Sequence, residues 1–267
     1  MVYPFPTAVP TLTPELLPLC AFALLAGLLD SIVGGGGLIQ VPALFILMPG
    51  TAAATLLGTN KCVSVAGTFG ATAQYLRRVR TPWRLALSSG ITALPFSFIG
   101  ARTITGVDPQ LLRPLILFLL VAVLLYTLFK PNLGSLHAPR MSGRAEIGAG
   151  LLTGALIGFY DGFFGPGTGS FLIFTYVGWF GYDFLASSAA AKIVNLLTNI
   201  AAIAWFSWSG HVVGSLVLPM ALCNLAGGIV GSRLAIARGS GFVRKLFIVV
   251  VGLLILRYGY ELFVVKQ

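Results

Sequence analysis

The chain is 267 residues long, 57% hydrophobic and only 9% charged, with a mean hydropathy of +0.94; ordinary soluble domains carry about 25% charged residues, so a water-soluble globular fold is excluded. The net charge of +10 does not mark a nucleic-acid partner. Arg77, Arg78, Arg80, Arg84, Arg140, Arg144, Arg238, Arg244 and Lys245 stand between or at the edges of apolar segments, where cations act as topology signals.

Residues 1–18 hold no Lys or Arg and are rich in proline, so they lack the basic start of a cleaved signal peptide, and residues 1–15 are expected to stay as a short tail. The long apolar runs 16–29, 111–129 and 246–256 approach the roughly 20 residues a helix needs to cross the hydrocarbon core. The short alternating strands of a membrane barrel are missing. The expected fold is an all-α polytopic membrane protein. Cys20, Cys62 and Cys223 lie inside apolar segments, and with only His137 and His211 for company they have neither a disulfide frame nor metal-ligand spacing. No cofactor or metal is expected.

The chain repeats itself at an offset of 131 without a gap: Gly27 meets Gly158, Asp30 meets Asp161, Gly34 and Gly36 meet Gly165 and Gly167, Lys61 meets Lys192, Gly100 meets Gly231, Arg102 meets Arg233 and Arg113 meets Arg244. With seven acidic residues in the whole chain, such coincidences are not compositional. Residues 16–129 form one repeat and 147–267 the other. Between them, 130–146 with Pro131, Gly134, Pro139 and Gly143 is the linker. Each half has an apolar helix ending at an Asp, a glycine cluster, a short stretch (38–48 or 170–180), a long helix carrying a Lys, and two more helices. Eleven residues at about 1.5 Å each cover about half the bilayer core, so these are broken or re-entrant helices.

The connection 77–84 holds four arginines, whereas its mate 208–215 holds only His211. Equivalent loops of opposite charge bias belong on opposite sides of the membrane. The segments after Phe129 (Lys130, Arg140, Arg144) and after Arg233 would share the cytoplasm with 77–84, which puts both termini outside and makes the repeats inverted. Three full crossings plus short pieces per half, or five shorter ones, both fit.

Three constellations can carry chemistry. The first is the pair of glycine breaks, Asp30-Ser31-Ile32-Val33-Gly34-Gly35-Gly36-Gly37 and Asp161-Gly162-Phe163-Phe164-Gly165-Pro166-Gly167-Thr168-Gly169. Gly35, Gly36, Gly37, Gly167, Thr168 and Gly169 would unwind the backbone and aim the N–H groups of a restarted helix at an anion. Close packing through small residues is the alternative. The second is Lys61 and Lys192, each within an apolar span, where a charge costs about 2.5–3.5 kcal/mol. With Asn60, Asn195 and Asn199 they suit an oxyanion. Equally, the lysines can neutralise Asp30 and Asp161 in buried ion pairs, and the two roles can coexist. The third is Asp30 and Asp161 themselves, as proton-carrying, ion-coupling groups or as structural partners. Arg102 and Arg233, also symmetric, sit near helix ends, where snorkelling explains them.

The motifs Gly34-Gly35-Gly36-Gly37-Leu38-Ile39-Gln40-Val41-Pro42-Ala43-Leu44, Leu57-Gly58-Thr59-Asn60-Lys61, Gly162-Phe163-Phe164-Gly165-Pro166-Gly167-Thr168-Gly169 and Ala191-Lys192-Ile193-Val194-Asn195-Leu196-Leu197-Thr198-Asn199 occur in that order. On them the chain resembles the sulfite exporter TauE/SafE family, also called the toluene sulfonate uptake permeases, from about residue 16 to 262. The resemblance implies an inner-membrane carrier of sulfite, sulfonates or related organic anions, usually outward; Asp30 and Asp161 make H+ or Na+ the candidate coupling ion. Two other classes compete. An anion channel shares the electrostatics but needs no alternating access. A membrane-embedded lipid-phosphate enzyme would want clustered acids, a His or a metal set at membrane depth, which this sequence lacks.

Overall fold

The computed structural model describes residues 15–48, 50–105 and 137–263, and these are all-helical. The helices are α1 (Leu16–Val33), α2 (Gly37–Leu47), α3 (Ala53–Arg78), α4 (Trp83–Ile104), α5 (Gly143–Phe163), α6 (Thr168–Gly178), α7 (Phe184–Trp208) and α8 (Gly214–Phe263). α8 is broken at Gly239, where φ is +74°. The tail 1–14, the apolar run 111–129 and the first part of the expected linker lie outside the described residues.

The offset found in the sequence recurs in the elements. α2 and α6 are both 11 residues long and start 131 residues apart, at Gly37 and Thr168. α3 and α7 start 131 apart at Ala53 and Phe184, as do α4 and α8 at Trp83 and Gly214. The short helices begin one and two residues earlier than the apolar stretches suggest, because Gly37 and Gly169 are accepted into a first turn. α1, α7 and the part of α8 spanning Gly214–Gly239 are long and apolar enough to cross a membrane. α3, at 26 residues, is about 39 Å long at about 1.5 Å per residue.

Packing follows the same exchange. α1 lies against α8 as α5 lies against α4, and α3 lies against α8 as α7 lies against α4. Individual contacts obey it too. A Cβ on Gly27 would meet the Asn224 carbonyl oxygen at 2.1 Å, while one on its mate Gly158 would meet that of Ala93, 131 residues before Asn224, at 2.6 Å. In a two-fold arrangement residue i meets j wherever j's mate meets i's mate, and these contacts follow that rule. The backbones approach so closely because small residues line the crossings, as helix association in lipid requires.

Large apolar side chains point outward, Leu17, Ile91, Leu156, Leu218 and Leu222 among them, and polar ones inward, the reverse of a soluble bundle. Trp83 at the start of α4 and Trp208 at the end of α7 are exposed, where an aromatic side chain suits a lipid–water boundary.

Residues 137–142 zip onto the α6–α7 connection: Ala138 N donates to Gly181 O at 3.0 Å and Arg140 N to Phe180 O at 2.9 Å. Glu146, at the end of the expected linker, lies in the first turn of α5 and is buried. It accepts from Tyr182 Oη at 2.6 Å and faces Arg84 at 3.8 Å. Burial, and then the neighbouring Glu146 carboxylate, push the Tyr182 phenol above its ordinary range.

Candidate functional site

α1 stops where Gly34 turns to φ +78° and its N–H caps Asp30 O at 2.8 Å, a left-handed C-cap that glycine adopts at low cost. α6 restarts after Gly167, at φ +85°. The two breaks touch: Ser170 N donates to Gly34 O at 3.1 Å and Ser170 Oγ to Val33 O at 2.8 Å. A Cβ on Gly34 would fall 2.2 Å from Gly169 C. Close packing and helix interruption, alternatives in the sequence, are therefore both present.

The four symmetric charges form two ion pairs across the halves. Lys61 Nζ lies 2.7 Å from Asp161 Oδ2, and Lys192 Nζ 2.7 Å from Asp30 Oδ2. Both lysines are buried. Lys192 also donates to the backbone oxygen of Asp30, and Gly36 N donates to Asp30 Oδ1 at 3.4 Å. Asp161 Oδ2 takes no hydrogen bond, so its 2.7 Å approach to Lys61 is an ion pair without hydrogen-bonding angles.

A cavity of about 20 Å³ opens at the junction, room for about one water, which needs roughly 10–15 Å³. Of the residues expected to bind substrate, Lys61, Asn60, Asn195, Asn199, Gly37, Gly167 and Gly169 line it. Asp30, Asp161, Gly34 and Gly165 join them. Lys192, Gly35, Gly36 and Thr168 are not in its wall. Gly36 is committed to Asp30, and the Thr168 hydroxyl folds back onto Gly165 O at 2.7 Å.

Ser64 and Thr68, which sequence reasoning missed, complete the wall. Their spacing from Lys61, i+3 and i+7, is the signal that was available. Asn199 Nδ2 donates to Asn195 Oδ1 at 3.1 Å, whereas Asn60 Oδ1 is buried with no partner. Among the described residues, Gly37 N and Gly169 N, in the first turns of the two short helices, also carry no hydrogen bond. The site thus offers a cation, amide groups and two helix starts, next to two carboxylates already paired.

The family model described as sulfite exporter TauE/SafE matches residues 19–258. A probable membrane transporter protein, ORF9, of Sinorhizobium sp is 36% identical over 228 residues, covering 85% of this chain and 86% of its own. A probable membrane transporter protein of Haemophilus influenzae is 33% identical over 224 residues, 84% of this chain and 86% of its own. The probable membrane transporter protein YfcA of Escherichia coli K12 is 32% identical over 243 residues, 89% and 87% of the two chains. No solved structure matches. The fold of lipid-facing helices around a paired-charge junction and the match across nearly its whole length agree: this chain belongs to the sulfite exporter TauE/SafE family.

Proposed function

We propose that the protein is a secondary transporter of small oxyanions, namely sulfite, sulfonates or related organosulfur anions, exported across the inner membrane with ion coupling. The observation that carries this proposal is the small cavity lined by Lys61, Asn60, Asn195, Asn199, Gly37 and Gly169, where among the described residues the Gly37 and Gly169 N–H groups take part in no hydrogen bond. At membrane depth unpaired donors are costly, and an oxyanion can accept from the Gly37 and Gly169 N–H groups and from the Lys61 ammonium once it leaves Asp161. The positive ends of two short helices add to the attraction. The preference for sulfur rests on the family description, and the transport role is the one in the relatives' names.

The aspartates are the proposed coupling groups, because a proton or Na+ at either carboxylate changes the charge facing the anion. The opposite cation content of 77–84 and 208–215 supports inverted halves with both termini periplasmic. Purified protein in liposomes should accumulate sulfite or methanesulfonate above equilibrium when a proton or sodium gradient is imposed. Flux that only runs down the anion's own gradient would make it a channel, and no oxyanion flux at all would end the proposal.

A further inference from the structure

We infer that the two lysines are not equivalent: Lys61 exchanges its carboxylate for the transported anion, while Lys192 stays on Asp30 as a positioning residue that fixes the first glycine break. This rests on the oxyanion site proposed above and assigns its working half. Lys61 lines the cavity and Lys192 does not. Lys192 is 0% exposed and is held by both the carboxylate and the backbone oxygen of Asp30. Asp30 in turn takes the Gly36 N–H, so opening this pair breaks several directional bonds at once.

The other half is built more loosely at the same positions. The residue equivalent to Gly36 is Gly167, turned to φ +85° instead of −58°, and the residue before it is Pro166, which has no N–H to give. Among the described residues no backbone N–H donates to the Asp161 carboxylate, whose Oδ2 meets Lys61 at 2.7 Å as an ion pair without a hydrogen bond. Beside Lys61, Asn60 also lines the cavity and is 4% exposed. An arriving oxyanion that takes over Lys61 Nζ disturbs one ion pair and no hydrogen-bonded framework. At Lys192 it would have to dismantle the cap of α1.

The test uses charge-neutral pair variants of the full chain, so that neither leaves a lone buried charge. Affinities for sulfite and methanesulfonate are measured by calorimetry, and turnover in liposomes. Lys61→Met/Asp161→Asn should weaken binding of both anions at least tenfold. Lys192→Met/Asp30→Asn should lower the thermal midpoint and turnover while affinity stays within about threefold. Should Lys192→Met/Asp30→Asn aggregate, the single variant Lys192→Arg, which keeps the charge, is measured instead, with the same expectation for affinity. Equal loss of affinity in the two halves, or the larger loss at Lys192, overturns the division of roles and leaves the oxyanion site standing. Parent-like affinity in both pair variants, or a parent that binds neither anion, overturns the oxyanion site itself.

Discussion

Lys61 belongs to the first half of the chain and its carboxylate partner Asp161, 2.7 Å away, to the second. The mate of this contact, Lys192 to Asp30, runs the other way at the same distance. Each half thus neutralises the other's charge, and neither half alone has a partner for its lysine within the pairs seen. Removing one member of a buried pair costs about 3–5 kcal/mol, whereas removing both is often much cheaper. In thermal unfolding of detergent-purified protein, Lys61→Met and Asp161→Asn should each destabilise by about that amount, and the double variant by less than either. Additive losses would mean that the contact carries no coupling.

Inversion of the halves is open to a labelling experiment. Arg78 ends α3, and His211 follows α7, its mate. With Cys20, Cys62 and Cys223 replaced, a cysteine at position 78 should react with impermeant maleimide only from the cytoplasmic side and one at 211 only from the periplasmic side. Reaction of both from one side is incompatible with inverted repeats.

The contact between the breaks makes Gly34 the most sensitive glycine at the junction. A methyl group there meets Gly169 C at 2.2 Å and the backbone at φ +78° resists it, so Gly34→Ala should cost about 3 kcal/mol or more, the range in which strain and overpacking combine. Gly148→Ala, on α5 with nothing within 4 Å, should be neutral or slightly stabilising, as alanine is in a helix. Similar melting temperatures for the two variants would show that the breaks do not pack as a unit.

Much of this architecture was legible in the residues. Rare side chains are cheap to align, so Asp30 with Asp161 and Lys61 with Lys192 exposed the repeat, and the element starts at Gly37 and Thr168 keep the same spacing. What a one-dimensional offset cannot contain is which half a side chain reaches into. The crosswise pairing of Lys61 with Asp161 follows from packing α3 against the other half. Burial of Glu146 was hidden for the same reason. It lies in the first turn of α5, a place that is ordinarily solvated, but there it accepts from Tyr182 and faces Arg84. Nor did matching glycines reveal their difference, since Gly36 and Gly167 share a position and adopt opposite signs of φ.

Ion coupling gives the last prediction. A coupling carboxylate must sit where its charge alters what the transported anion meets, and both aspartates line the cavity beside a lysine. A proton on Asp161 frees the Lys61 ammonium, which lines the cavity, from its ion-pair partner among the described residues. A proton on Asp30 instead loosens a carboxylate that also takes the Gly36 N–H. The ratio of methanesulfonate flux with an imposed pH gradient to flux without one, normalised to monodisperse protein, should therefore fall toward one in Asp161→Asn and fall less in Asp30→Asn. The ratio cancels the general loss of rate that a weakened fold brings, since that loss enters both measurements. If both variants keep the parent's ratio, the carboxylates serve only to pair the lysines, and coupling, where it exists, uses other groups.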